Sequence, residues 1–79
     1  MVKEYDYLAL TRGLHRKLLN INHDIRAARK QKASIETMNE LIQRKKLIDR
    51  TYSKCVTTLN KPQEQDNVYK QAVQIYNTH

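Results

Sequence analysis

Seven cationic side chains crowd into residues 26 to 46: Arg26, Arg29, Lys30, Lys32, Arg44, Lys45 and Lys46. The stretch reads RAARKQKASIETMNELIQRKK, and only Glu36 and Glu40 oppose them. Guanidinium and ammonium groups at this density neutralise phosphates or carboxylates, so the chemistry on offer is binding of nucleic acid or of an acidic protein surface. A merely solvated face has the same composition. Ile35, Met38 and Ile42 lie in the same stretch and form an apolar patch, expected to meet a second copy of the chain or a foreign partner.

Other chemistries find no support. There is no glycine-rich phosphate loop, no nucleophile with a spaced base and no pair of acids suited to a cleft, so an enzyme acting on a small-molecule substrate is not expected. His15, His23 and His79 are not spaced as neighbours one helical turn apart, and Cys55 is the only cysteine, so neither a metal nor another cofactor is expected. A lone cysteine forms no intrachain disulfide and suits a reducing compartment.

The N-terminal MVKEYDYLALTRGLHRK carries Glu4 and Asp6 and lacks the apolar run of a signal peptide. No apolar stretch nears the ~18 residues of a membrane span. The expectation is a cytoplasmic protein, in the host cytoplasm if phage-encoded; the phage association rests on small size and basic character alone. The formal charge is +7, from 15 basic and 8 acidic residues. It favours an acidic partner and also serves plain solubility.

The elements that would position these groups are helical. A single glycine and a single proline in 79 residues provide too little turn punctuation for a strand-rich domain. Tyr7, Thr11, Leu14, Leu18, Ile21, Ile25 and Ala28 recur at alternating steps of 4 and 3, a heptad seam. Met38, Leu41, Lys45, Ile48, Tyr52, Cys55 and Leu59 form a second seam. Paired antiparallel, the two are centred on residue 33, where Ala33-Ser34 interrupts the pattern and Ser34 offers a helix cap, with Thr37 and Glu40 as an alternative capping box.

The fold expected is all-α: one domain over residues 1–79, a long antiparallel hairpin plus a shorter third helix, with dimerisation possible. Helix 1 is expected over about 5–32, helix 2 over about 34–60 and helix 3 over about 62–77. Pro62 suits the first turn of helix 3. That helix is short, so it covers only the open end of the hairpin. There Leu8, Leu10 and Leu19 widen helix 1, and Leu47 and Val56 widen helix 2. The basic segment is left as a bare two-helix arm. At Gly13 either a neighbouring helix approaches closely or helix 1 kinks, and the unbroken phase of the seam favours the close approach.

Lys45 is the one charged residue in the second seam. It either lays its stem along the seam with its ammonium in water or sets register and oligomeric state. Tyr7, Tyr52, Tyr69 and Tyr76 fall on apolar faces, and Tyr5 alone is expected to be exposed. An arm without an exposed aromatic platform argues against single-strand binding there. The sequence thus points to a small non-enzymatic regulator acting on nucleic acid or a nucleoprotein complex. The alternative is an inhibitor or adaptor docking on an acidic protein surface.

Overall fold

The computed structural model describes residues 3–78. They form three α-helices and, among the described residues, no strand: α1 (Glu4–Lys30), α2 (Ile35–Thr57) and α3 (Pro62–Thr78). The helices pack together into a rod of 45 × 19 × 17 Å. At about 1.5 Å per residue α1 alone spans about 40 Å, nearly the length of the molecule.

The buried residues of α1 are the seven of its heptad stripe, Tyr7, Thr11, Leu14, Leu18, Ile21, Ile25 and Ala28. Glu4 and Asp6 in the first turn and Arg29 and Lys30 in the last complement the helix dipole. Helix 1 stops two residues before Lys32, its expected end. Lys32 takes a left-handed φ of 53°. Its amide donates to the Arg29 carbonyl at 3.2 Å, and the Ala33 amide donates to the Ala28 carbonyl at 2.9 Å. This is a Schellman ending with lysine where glycine is usual.

Ser34 then caps α2, its hydroxyl oxygen accepting from the Thr37 amide at 3.2 Å. The T-x-x-E alternative for the start of helix 2 is therefore not used. Helix 2 also ends early, at Thr57 rather than Asn60. Pro62 starts α3 and disfavours helical geometry at Lys61, so residues 58–60 form a turn. The Gln65 side-chain amide donates to the carbonyls of Thr58 (2.9 Å) and Leu59 (3.1 Å), satisfying acceptors that the helix end leaves open.

Polar groups buried at this end are also matched. The Tyr7 hydroxyl lies against the Thr58 hydroxyl and donates to the Cys55 carbonyl at 3.1 Å. The Thr58 hydroxyl in turn donates to the Lys54 carbonyl at 2.8 Å. Burial pushes the Tyr7 phenol and the Cys55 thiol above their ordinary pKa values, against opposing hydrogen bonds from Thr58 and from Tyr7 and Thr11 respectively. Cys55 is fully buried, where a thiol is inert.

The stripe on α2 departs from its expected seam. Ile48 and Cys55 are buried, but Thr51 and Thr58 take the places expected for Tyr52 and Leu59. Tyr52 is half-buried and Leu59 exposed. The reason is α3. A two-helix seam faces one partner, whereas the buried side of α2 must face both α1 and α3, and it turns toward the angle between them. The Thr51 hydroxyl donates to the Leu47 carbonyl at 2.8 Å, which removes the cost of its burial.

Ala72 of α3 is fully buried, and Val68, Tyr69 and Ile75 pack against the core from partial exposure. The Tyr76 ring lies over Gly13: a β-carbon there would stand 2.7 Å from the ring's Cε2. The close approach expected at Gly13 is thus supplied by a side chain. Lys17 Nζ sits 4.7 Å from the centre of the same ring.

α3 covers one flank of α1 only. Leu10 is partly buried, but Leu8 and Leu19, both expected beneath α3, remain exposed, and so does Val56 on α2. Leu8 and Leu10 project about 200° apart on a helix, so one neighbour cannot cover both. Tyr5 is exposed as expected, but Tyr76 is exposed too.

Candidate nucleic-acid interface

The basic segment consists of the last turn and a half of α1, the four-residue connection and the first half of α2. Arg26, Arg29, Lys30, Lys32, Arg44, Lys45 and Lys46 are all exposed. Seven cations less two carboxylates leaves five of the chain's net seven positive charges on this segment. The capped connection fixes how the cations are presented. The ending of α1 turns Lys32 into the left-handed region, and the Ser34 cap starts α2 within two residues.

α3 meets α1 at Gly13 and Lys17 and lines a groove with α2 from Leu47 to Lys54. Residues 26–46 lie beyond these contacts. Ala28 is the buried residue of α1 there, next to Ile25 just before the segment, and Met38, Leu41 and Ile42 of α2 pack against the core from partial exposure.

Ile42 is therefore a supporting residue of the chain's own core as well as part of the expected patch. Met38 shares that position, and Ile35 is the member left open, at 79% exposure. Lys45, placed by sequence in the α2 seam, is exposed with its basic neighbours. Glu36 and Glu40 are exposed on the same segment, where pairing with arginine contributes little, about 0–1 kcal/mol.

Two basic side chains outside this segment went unrecognised in the sequence. Arg12 and Arg16 are exposed on α1, where they line two open clefts. One is formed with Tyr5, Leu8, Ala9, Gly13 and Tyr76, and the other with Thr11, His15, Leu19 and Tyr52. The His15 and Tyr52 rings are in tilted contact, 5.5 Å between centroids. The signal available in the sequence was the run Tyr5, Leu8, Arg12, Arg16, Leu19 at helical spacing opposite the seam. It was obscured by the assumption that α3 covers Leu8 and Leu19.

Among the described residues no group of three or more His, Cys, Asp or Glu side chains is placed to hold a metal ion. No helix there is long and apolar enough to cross a membrane. His79 lies outside the described residues. Compared with protein-family models, curated proteins and solved structures, the chain matches none.

Proposed function

We propose that this chain is a non-enzymatic binding protein whose basic segment, residues 26–46, grips the phosphate backbone of nucleic acid or of a nucleoprotein complex. One observation carries the reading: five of seven net charges stand exposed on a segment that lies outside the α3 contacts at Gly13, Lys17 and the groove from Leu47 to Lys54. In this reading α1 and α2 form an antiparallel hairpin. Support comes from Tyr7 meeting Cys55 and Thr58, from His15 against Tyr52, and from the short capped connection. The arm then presents cations along two neighbouring helices and around its tip.

Each phosphate neutralised on duplex DNA contributes about −0.9 to the slope of log K against log salt. Reversing Arg29 and Lys30 to glutamate is expected to weaken binding on all sequences alike and to flatten that slope. Both residues are exposed, but they stand in the last turn of α1, where each carboxylate opposes the helix dipole by about 0.3–1 kcal/mol. Circular dichroism checks that the fold is retained, and Arg29→Gln with Lys30→Gln, which removes the charge without reversing it, should weaken binding in the same direction. An unchanged affinity and slope would sink the reading.

The second reading, an inhibitor or adaptor docking on an acidic protein surface, draws on Ile35. Its exposure beside Met38 and Ile42 adds an apolar contact that phosphate binding does not use. It requires no measurable affinity for naked DNA or RNA near physiological salt, together with loss of a protein partner on the same double reversal. A dimer through the Ile35 face is the homotypic version of that contact, and light scattering decides it.

A further inference from the structure

The side of α1 turned away from the core holds more than solvent-facing residues. Tyr5, Leu8, Arg12, Arg16 and Leu19 recur there at steps of 3, 4, 4 and 3. All five are exposed, Tyr5 by 80% and Leu19 by 57%. Arg12 and Arg16 stand one helical turn apart and belong to the walls of both clefts, each about 400 Å³ in volume. Tyr5 and Tyr76 flank the arginine pair on one side, and His15 and Tyr52 on the other. Tyr76 is held in place by the Gly13 surface beneath it and by Lys17 Nζ over its ring. Tyr52 is held against His15. Among the described residues no carboxylate lines either cleft.

We propose that this face is a second site, selective for single-stranded nucleic acid. An unpaired base stacks on the exposed Tyr5 ring, neighbouring bases lie against the open edges of Tyr76 and Tyr52, whose faces are partly taken by Lys17 and His15, and the phosphate between them sits on Arg12 and Arg16. Two guanidiniums one helical turn apart, with aromatic surfaces on either side, match the alternation of phosphate and base along a strand. A duplex keeps its bases stacked within the helix and offers these rings nothing. An acidic peptide satisfies the arginines but leaves four rings without planar partners.

The proposal rests on the nucleic-acid reading and deepens it. Arg12 lies about 21 Å along α1 from Arg26, so one strand end can occupy the clefts while a duplex portion meets the basic segment.

The test uses fluorescence anisotropy with three labelled probes. They are an oligo(dT) of about ten nucleotides, a blunt duplex of about 20 base pairs and a polyglutamate peptide of similar length to the oligo(dT). Tyr5→Ala is expected to weaken oligo(dT) binding by roughly five- to hundredfold, the worth of one stacked base, and the pair Arg12→Gln with Arg16→Gln should weaken it too and flatten its salt dependence. Duplex binding should change by less than about threefold in Tyr5→Ala. Tyr76→Ala should act like Tyr5→Ala. Should it destabilise the fold, Tyr5→Ala carries the test alone, because Tyr5 stands clear of the core.

Unchanged oligo(dT) affinity in Tyr5→Ala overturns the proposal. So does polyglutamate bound as tightly as oligo(dT) with the same dependence on Tyr5, which assigns the face to an acidic protein. Duplex bound through Arg29 and Lys30 without single-strand binding leaves the basic-segment reading standing and removes this site. Cleft-dependent oligo(dT) binding that ignores Arg29→Glu with Lys30→Glu, with no duplex binding, does the reverse.

Discussion

Replacing Gly13 by alanine sets two effects of similar size against each other. Alanine is favoured over glycine in a helix interior by about 0.8–1 kcal/mol, and Gly13 lies well inside α1. The new β-carbon would meet Tyr76 Cε2 at 2.7 Å, closer than carbon atoms tolerate, so the ring must move outward. Tyr76 lies near the end of α3 and is already 38% exposed, so the movement is feasible. It sacrifices the Lys17 contact, worth about 0.5–1 kcal/mol at an exposed site, and some packing on the α1 surface. Gly13→Ala alone should therefore change stability by less than about 0.5 kcal/mol. In a Tyr76→Ala background the obstruction is gone, and the same substitution should stabilise by about 1 kcal/mol. The coupling energy of the cycle is then about 1 kcal/mol. Urea denaturation of the four proteins, followed by helical circular dichroism, measures it. A full 1 kcal/mol gain in both backgrounds would mean that Tyr76 does not cover Gly13. It would also remove the ring from the cleft beside Arg12.

Three further outcomes are expected. Lys32→Gly should raise stability by about 1 kcal/mol in the same assay, because the left-handed backbone at Lys32 costs a side-chain-bearing residue about 1–2 kcal/mol; a loss of stability would contradict the observed ending of α1. Tyr7 and Cys55 are both shifted toward their neutral forms by burial, so their contribution to stability is complete below their ordinary values of 10.0 and 9.0 and declines as pH rises through the folded-state values. Tyr7→Phe should cost about 0.5–1.5 kcal/mol at neutral pH by removing the hydrogen bond to Cys55, and should reduce the alkaline decline measured by chemical denaturation. Ile35→Glu should leave stability within about 0.5 kcal/mol and convert any dimer to monomer in light scattering, whereas Ile42→Glu should destabilise the chain because Ile42 packs on its core.

The stripe of α1 was legible from sequence alone. Its seven apolar and small residues repeat in phase with the helix, and a helix must bury such a stripe whatever covers it. The breaks between helices were also legible to within a few residues, since Ser34 and Pro62 act locally on the backbone next to them. The ends of α1 and α2 were less so, because the turn at Lys32 uses a residue that does not announce a left-handed conformation, and residues 58–60 are shaped by tertiary bonds to Tyr7 and Gln65.

Tertiary structure alone decided which flank of α1 the third helix covers. Periodicity reports how wide an apolar surface is, not which neighbour occupies each side. Leu8, Leu10 and Leu19 therefore looked equivalent until α3 packed beside Leu10, Gly13 and Lys17 and left the other two exposed. The same choice turned Thr51 and Thr58 inward in place of Tyr52 and Leu59. It also set Tyr52 and Tyr76 on either side of Arg12 and Arg16. The basic segment, by contrast, could be read from composition because its charges lie close together along the chain. The aromatic clefts could not, since their rings come from three helices and meet only when those helices pack.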